Sequence, residues 1–246
     1  MIKFLRRFRQ QLLSENKFSK YLIYAIGEII LVVIGILIAL QINNWNENRK
    51  EKKIETSILN ELQSDFKSDL LSLNEDIEIN KRAIRSNELI TKVLMSNIDY
   101  NDSLDLHFGN IQYSASFTVN TGGFENLKSR GFEIIANDTL RKDIIELQDR
   151  WYDYLFILNQ KNNTINIEQL LPTYRKYFTN LSYTFKDQYV SFTPVNFESL
   201  RNNTDFLQLI AYQKFNNEKT VQYLEIIIKR IKDVIDKIQF ELKSRT

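Results

Sequence analysis

The sequence predicts an all-α fold: one N-terminal transmembrane helix, then an elongated antiparallel bundle of long helices with short helices at one end. Three observations carry that reading. Residues 21–42, YLIYAIGEIILVVIGILIALQI, are apolar apart from Glu28 and Gln41, and as a helix they reach roughly 33 Å, enough to cross a bilayer's hydrocarbon core. Beyond them, apolar residues recur at steps of three and four, the period of a helix with one buried face. The chain holds only six Gly and two Pro, fewer than tight-turned sheet proteins use. The expected division is a basic segment over residues 1–20, the span over 21–42 and an extramembrane domain over 43–246.

The basic segment places Leu5, Phe8 and Leu12 on one helical face, with Arg6, Arg7 and Arg9 largely off it. That pattern suits either a helix lying among lipid headgroups or a leader whose charges set topology. No small-residue cleavage site follows the apolar run, so an uncleaved signal anchor is expected rather than a signal peptide. Six Lys/Arg precede the span and four follow it. The positive-inside rule then puts the N-terminus in the cytoplasm and exports the C-terminal domain. Tyr21 and Tyr24 fall at the inner interface and Trp45 at the outer one.

Within the span, Glu28, Val32, Gly35 and Ala39 share one helix face, with Gly27 beside them. Small residues let helices approach closely, and an intramembrane acid wants a partner. The face is a candidate contact with a second copy or another membrane protein; the alternative is a Glu28 that snorkels to the interface.

Past an Asn-rich collar, residues 51–96 read as one long helix, its stripe running through Leu59, Leu62, Phe66, Leu70, Leu73, Ile77, Asn80, Ile84, Asn87, Thr91 and Leu94. Asn80 and Asn87 either set register between helices or mark a stripe that fades towards solvent. Asn101 and Asn137 look like helix N-caps. Gly122-Gly123 punctuates a turn before a short helix that Gly131 ends. A helix over 139–162, running on through Pro172 to about residue 181, uses Leu140, Ile144, Leu147, Trp151, Tyr154, Leu155 and Leu158. Residues 183–203 read as irregular, with no strand pattern. A last helix over 204–243 carries Leu207, Ile210, Leu224, Ile227, Ile231, Val234, Ile238 and Leu242.

Four blocks are distinctive: KYLIYAIGEIILVVIGILIALQINNWNE (20–47), YNDSL (100–104), NTGGFENLKSRGFEIIANDTLR (120–141) and the region around Trp151-Tyr152. Together they resemble a family of small membrane proteins from Gram-negative bacteria, defined only as a domain of unknown function. The resemblance implies an N-terminal anchor with a helical domain behind it. It brings no catalytic residues.

The search for chemistry returns little. Cysteine is absent and His107 is the one histidine, which excludes disulfides, thiolate zinc and thiol catalysis and leaves His107 as an ordinary packing or surface residue. No nucleophile elbow, phosphate loop or dinucleotide fingerprint occurs, and no metal or cofactor is expected. Asp65/Asp69 and Glu75/Asp76/Glu78 read as solvated helix face. Residues 1–53 carry ten Lys/Arg against four Glu, while residues 54–246 carry 23 Lys/Arg against 27 Asp/Glu. Basic charge beside the membrane suits anionic lipid, and the mildly acidic domain excludes nucleic acid as the natural partner.

Asn120, Thr121, Gly122, Gly123, Glu125, Lys128 and Arg130 form the candidate recognition loop, expected at the bundle's membrane-distal end, since loops on rigid scaffolds carry recognition. The alternative is a structural turn. The expected function is non-enzymatic: partner binding, homo-oligomerisation or ligand sensing by a membrane-anchored helical protein of the cell envelope. The competing readings are an envelope enzyme using carboxylates or Tyr in the aromatic region 174–192, and a purely structural spacer.

Overall fold

A computed structural model describes residues 18–112, 117–184 and 189–244. The chain divides into two units, Met1–Glu55 and Thr56–Thr246. The expected face of Leu5, Phe8 and Leu12 lies outside the described residues, as do the side chains of Tyr21 and Tyr24.

Helix α1 (Phe18–Met95) contributes to both units. In the first it carries the apolar run, whose side chains are exposed: Ile29, Leu31, Val32, Leu37 and Ile42 are each more than half accessible. Among the described residues it is the one helix long and apolar enough to cross a membrane, by length and composition.

In the second unit the buried face of α1 runs Leu59, Leu62, Phe66, Asp69, Leu73, Asp76, Asn80, Ala83, Asn87, Ile90, Leu94, alternating steps of three and four. The expected face drifts from this one after Phe66: Leu70, Ile84 and Thr91 are only half-buried, and Asp69 and Asp76 point inwards instead. Asn80 and Asn87 are fully buried. Asn87 Nδ2 donates across to the Ile210 carbonyl at 2.6 Å, so it sets register rather than marking a fading stripe.

After α1 come α2 (Leu104–Gln112) and α3 (Gly122–Arg130). Asn101 Oδ1 accepts the Ser103 N–H at 3.1 Å ahead of α2. Gly131, at φ 93°, follows α3, a backbone conformation that favours glycine. Helix α4 (Asp138–Glu146) starts at Asn137, whose side chain accepts from the Thr139 and Leu140 N–H groups. The helical path continues through a π turn (Leu147–Tyr152), α5 (Asp153–Ile165), a second π turn (Asn166–Leu170) and α6 (Leu171–Tyr177). A π turn takes up an extra residue, so it moves the buried face along by one. Tyr152 is therefore buried where the plain helical period points to Trp151.

The helix ends at Tyr177, four residues short of its expected end, and the expectation of no strand is corrected by a hairpin. Strands β1 (Phe178–Thr184) and β2 (Tyr189–Pro194) pair antiparallel, Phe178 opposite Pro194 and Thr184 opposite Tyr189. Phe178, Val190 and Phe192 are buried while Thr179 is exposed, the period-two alternation of a half-buried sheet. Helix α7 (Phe197–Arg201) and α8 (Thr204–Lys243) complete the chain, capped by Asn196 and Asn203.

Helix α8 runs antiparallel to α1, as Asn87–Ile210, Glu88–Lys214 (2.8 Å) and Lys81–Glu225 (3.7 Å) show. Its buried face is Phe206, Ile210, Gln213, Asn217, Thr220, Leu224, Ile227, Ile231, Val234, Ile238. The aromatic core gathers at the Met95 end, where Phe108, Tyr174, Phe178, Phe192, Phe197 and Phe206 pack with Ile90 and Leu94. Arg201 closes that end by donating to the carbonyls of Ser96 and Ile98, just past the end of α1.

Candidate functional site

The segment expected to carry recognition is held down by acids of α1. Asn120 donates both its backbone N–H and its Nδ2 to Asp69 Oδ1, each at 2.8 Å. Gly123 N–H donates to Asp65 Oδ2 at 2.8 Å, and Asn126 Nδ2 to Glu61 Oε2 at 2.7 Å. Thr121 makes no side-chain cap, so Asp65 serves α3 as a cap supplied by another helix, its negative charge facing the positive end of the α3 dipole. Gly123 allows this approach: a Cβ there would lie 3.0 Å from Asp65 Oδ2 and 3.1 Å from the Leu62 backbone nitrogen.

These contacts correct the expected placement. Asp65 and Met95 are thirty residues apart on α1, roughly 45 Å along a helix. The segment therefore packs where α1 enters the Thr56–Thr246 unit, not at the Met95 end. Gly123 faces inwards, while Asn120, Thr121, Gly122, Glu125, Lys128 and Arg130 are exposed. Arg130 Nε donates to Asn126 Oδ1 at 3.1 Å, which leaves Glu125 and Lys128 turned outwards from a docked helix.

Asp69 is the centre of this arrangement and corrects the reading of Asp65/Asp69 as solvated face. It is fully buried and accepts a third hydrogen bond from Tyr152 O–H at 2.6 Å. Burial raises its carboxyl above the ordinary value; the bonds from Tyr152 and Asn120 oppose that rise, and Asp65 adds to it. Burial and the carboxylate beside it push the Tyr152 phenol strongly upwards, so Tyr152 is a donor at neutral pH. Asp76 is buried too, and desolvation, with Glu75 adjacent, raises it from 3.8 to about 6. Glu75 and Glu78 are exposed, as expected.

His107 is half-buried on α2, with Nδ1 3.0 Å from Ser86 Oγ. Asn110 Nδ2 donates to the same oxygen at 3.1 Å, so Ser86 Oγ joins α1 to two residues of α2. Burial lowers the imidazole's pKa and keeps it neutral. The pair resembles a nucleophile and base only in composition, since Ser86 is buried between helices. Asp105 instead accepts from Tyr100 O–H at 2.6 Å and Thr193 Oγ1 at 2.5 Å. Burial and that carboxylate push the Tyr100 phenol up to about 12.

In the aromatic region, Tyr174 stacks on Phe178 with ring centroids 4.6 Å apart, and its hydroxyl donates to the Phe108 carbonyl at 2.9 Å. Tyr174 and Phe192 are core residues, not pocket walls. The side chains of Tyr183, Phe185 and Tyr189 lie outside the described residues. No cluster of three or more metal-binding side chains occurs among the described residues.

A surface groove of about 130 Å³ lies between the π turn after α4 and α8. There Arg230 covers the Trp151 ring at 4.0 Å, Glu146 accepts from Trp151 Nε1 at 3.3 Å, and Lys237 pairs with Asp143 at 2.5 Å. Arg230 and Lys237 offset two of the three acids that line it, Asp143, Glu146 and Asp233, so it presents no concentrated charge of one sign. In the first unit Gly27 and Gly35 have open space around them, and Val32 is exposed.

Fold and contacts together define a mainly helical protein: an exposed apolar N-terminal helix and a domain whose helices are tied by buried polar side chains. The chain belongs to a family of unknown function, DUF6090, whose model matches residues 28–218. No curated protein and no solved structure matches it.

Proposed function

We propose that this chain is a single-pass protein of the bacterial inner membrane whose helical bundle binds a partner or ligand in the periplasm, without catalysis of its own. One observation supports this most: the run 21–42 is apolar and helical, and its large aliphatic side chains, from Leu22 to Ile42, are exposed. An apolar patch of that extent requires a bilayer or another protein around it. The flanking charge favours a cytoplasmic N-terminus.

The face of Gly27, Glu28, Val32, Gly35 and Ala39 is the contact surface within the bilayer, formed with a second copy or another membrane protein. The outward residues Glu125 and Lys128 of α3 belong to the contact surface of the domain.

In vivo crosslinking followed by purification from native membranes tests this reading. The expected result is a crosslinked homo-oligomer or a reproducible membrane partner, lost in Glu28→Ala. A strictly monomeric protein whose state Glu28→Ala leaves unchanged would overturn it.

A further inference from the structure

The helical core is interrupted at mid-length by a layer of amides. Three sets of contacts bring Asn80 of α1, Asn162 of α5 and the stretch Asn216–Thr220 of α8 to one level. Asn87 bonds the Ile210 carbonyl, which puts Asn80, seven residues earlier on the antiparallel partner, beside Asn217. Asp69 bonds Tyr152, and these parallel segments then place Asn80 beside residue 163. Tyr154 meets Tyr223 with ring centroids 4.7 Å apart, which sets Asn162 against residues 215–219.

All of Asn80, Asn162, Asn216, Asn217 and Thr220 are more than nine-tenths buried. Asn80 Oδ1, the Nδ2 atoms of Asn162, Asn216 and Asn217, and Thr220 Oγ1 find no hydrogen-bond partner among the described residues. A buried polar atom left unpaired costs about 1–3 kcal/mol, and native interiors rarely hold several at one level.

From this we infer that the layer is an internal solvent site, in which ordered water bridges the three helices. The chemistry selects water over other small ligands. The unpaired set is mixed: an acceptor oxygen on Asn80, whose nitrogen donates to the Asp76 carbonyl, amide donors on Asn162, Asn216 and Asn217, and a Thr220 hydroxyl that does both. A molecule that donates and accepts equally serves such a set, and two to four polar partners per molecule is what buried water requires. An anion would meet the Asn80 carbonyl and the buried Asp76 one turn away, with no fixed positive charge in the layer. A cation would face three amide nitrogens. An apolar ligand would leave every atom unpaired.

A high-resolution map of the full-length chain in detergent tests the site directly. Solvent density bonded to at least two of the five side chains is expected. Direct amide-to-amide pairing without solvent, or density for a bound ion, overturns the inference. Oxygen-17 relaxation dispersion gives an independent reading. The double variant Asn80→Leu/Asn217→Leu should lose most of the long-lived-water amplitude, keep its helicity and unfold at a higher temperature. An unchanged amplitude in the folded variant would contradict it, and if the variant does not fold the wild-type map decides.

Discussion

Asp69 accepts from Asn120 N–H, Asn120 Nδ2 and Tyr152 O–H in a place that water does not reach. Truncation strands the buried Tyr152 hydroxyl and releases both Asn120 donors from the helix they dock on. Asp69→Ala is expected to cost about 3 kcal/mol, seen as a fall in melting temperature on the order of 10 °C for a domain of this size. A loss below a degree would show that the three bonds hold nothing. Asp76 gives a pH dependence whose sign is set by its shift. Its folded pKa is raised from 3.8 to about 6, so between those values the folded chain binds the proton that the unfolded chain has released. The stabilisation is complete below about pH 4 and is lost as pH rises through 6. Asp69, raised in the same direction, adds to that slope. Melting curves from pH 4 to 8 should show it, and Asp76→Asn should gain stability at pH 7.5 with little change at pH 4. A gain confined to pH 4 would reverse the assignment.

At the scale of elements, α2 packs tightly against the hairpin at Gly109. A Cβ on Gly109 would overlap the Val190 carbonyl of β2, and neither backbone can yield as a flexible side chain would. Gly109→Ala should therefore lift the hairpin from α2 and cost about 1–3 kcal/mol, the usual penalty of overpacking. Hydrogen exchange would locate the loss in residues 178–194, and unaltered protection there would contradict the packing. The cap at Asn137 is simpler: Asn137→Ala should cost about 1 kcal/mol, read from the unfolding midpoint.

Several elements were legible before any coordinates. The bounds of α8, the Asn137 cap, the Gly131 stop and the long helix over residues 51–96 follow from strong local signals: three-four periodicity, cap chemistry and the conformational freedom of glycine. What stayed hidden was polar. On α1 the apolar residues alone fit two faces one position apart, and only burial shows that Asp69 and Asp76 lie on the inner one. On α8 the apolar stripe has a gap between Ile210 and Leu224, yet Gln213, Asn217 and Thr220 continue it at the same spacing. Counting polar residues at core positions would have found the amide layer. The π turn after α4 could not be foreseen, because it depends on tertiary packing rather than on any residue within it. The hairpin was readable in part: YVSFTP alternates, but FTNLSYT slips by one between Phe178 and Leu181, and the helical pattern before them masked the change of period.

For the whole molecule, the Thr56–Thr246 unit has its own core, as an independently folding domain does. Residues 54–246 expressed alone should be soluble, helical and cooperative in unfolding, whereas the full chain should stay in the membrane pellet after alkaline extraction. Aggregation of the isolated domain would show that the first unit contributes to its core. The most direct measurement of the membrane account exploits the absence of cysteine. A single Lys128→Cys, at an exposed position on α3, is labelled with a membrane-impermeant maleimide in cells whose outer membrane alone has been opened. Labelling before lysis of the inner membrane is the predicted result; labelling only after that lysis would contradict it and place the domain in the cytoplasm.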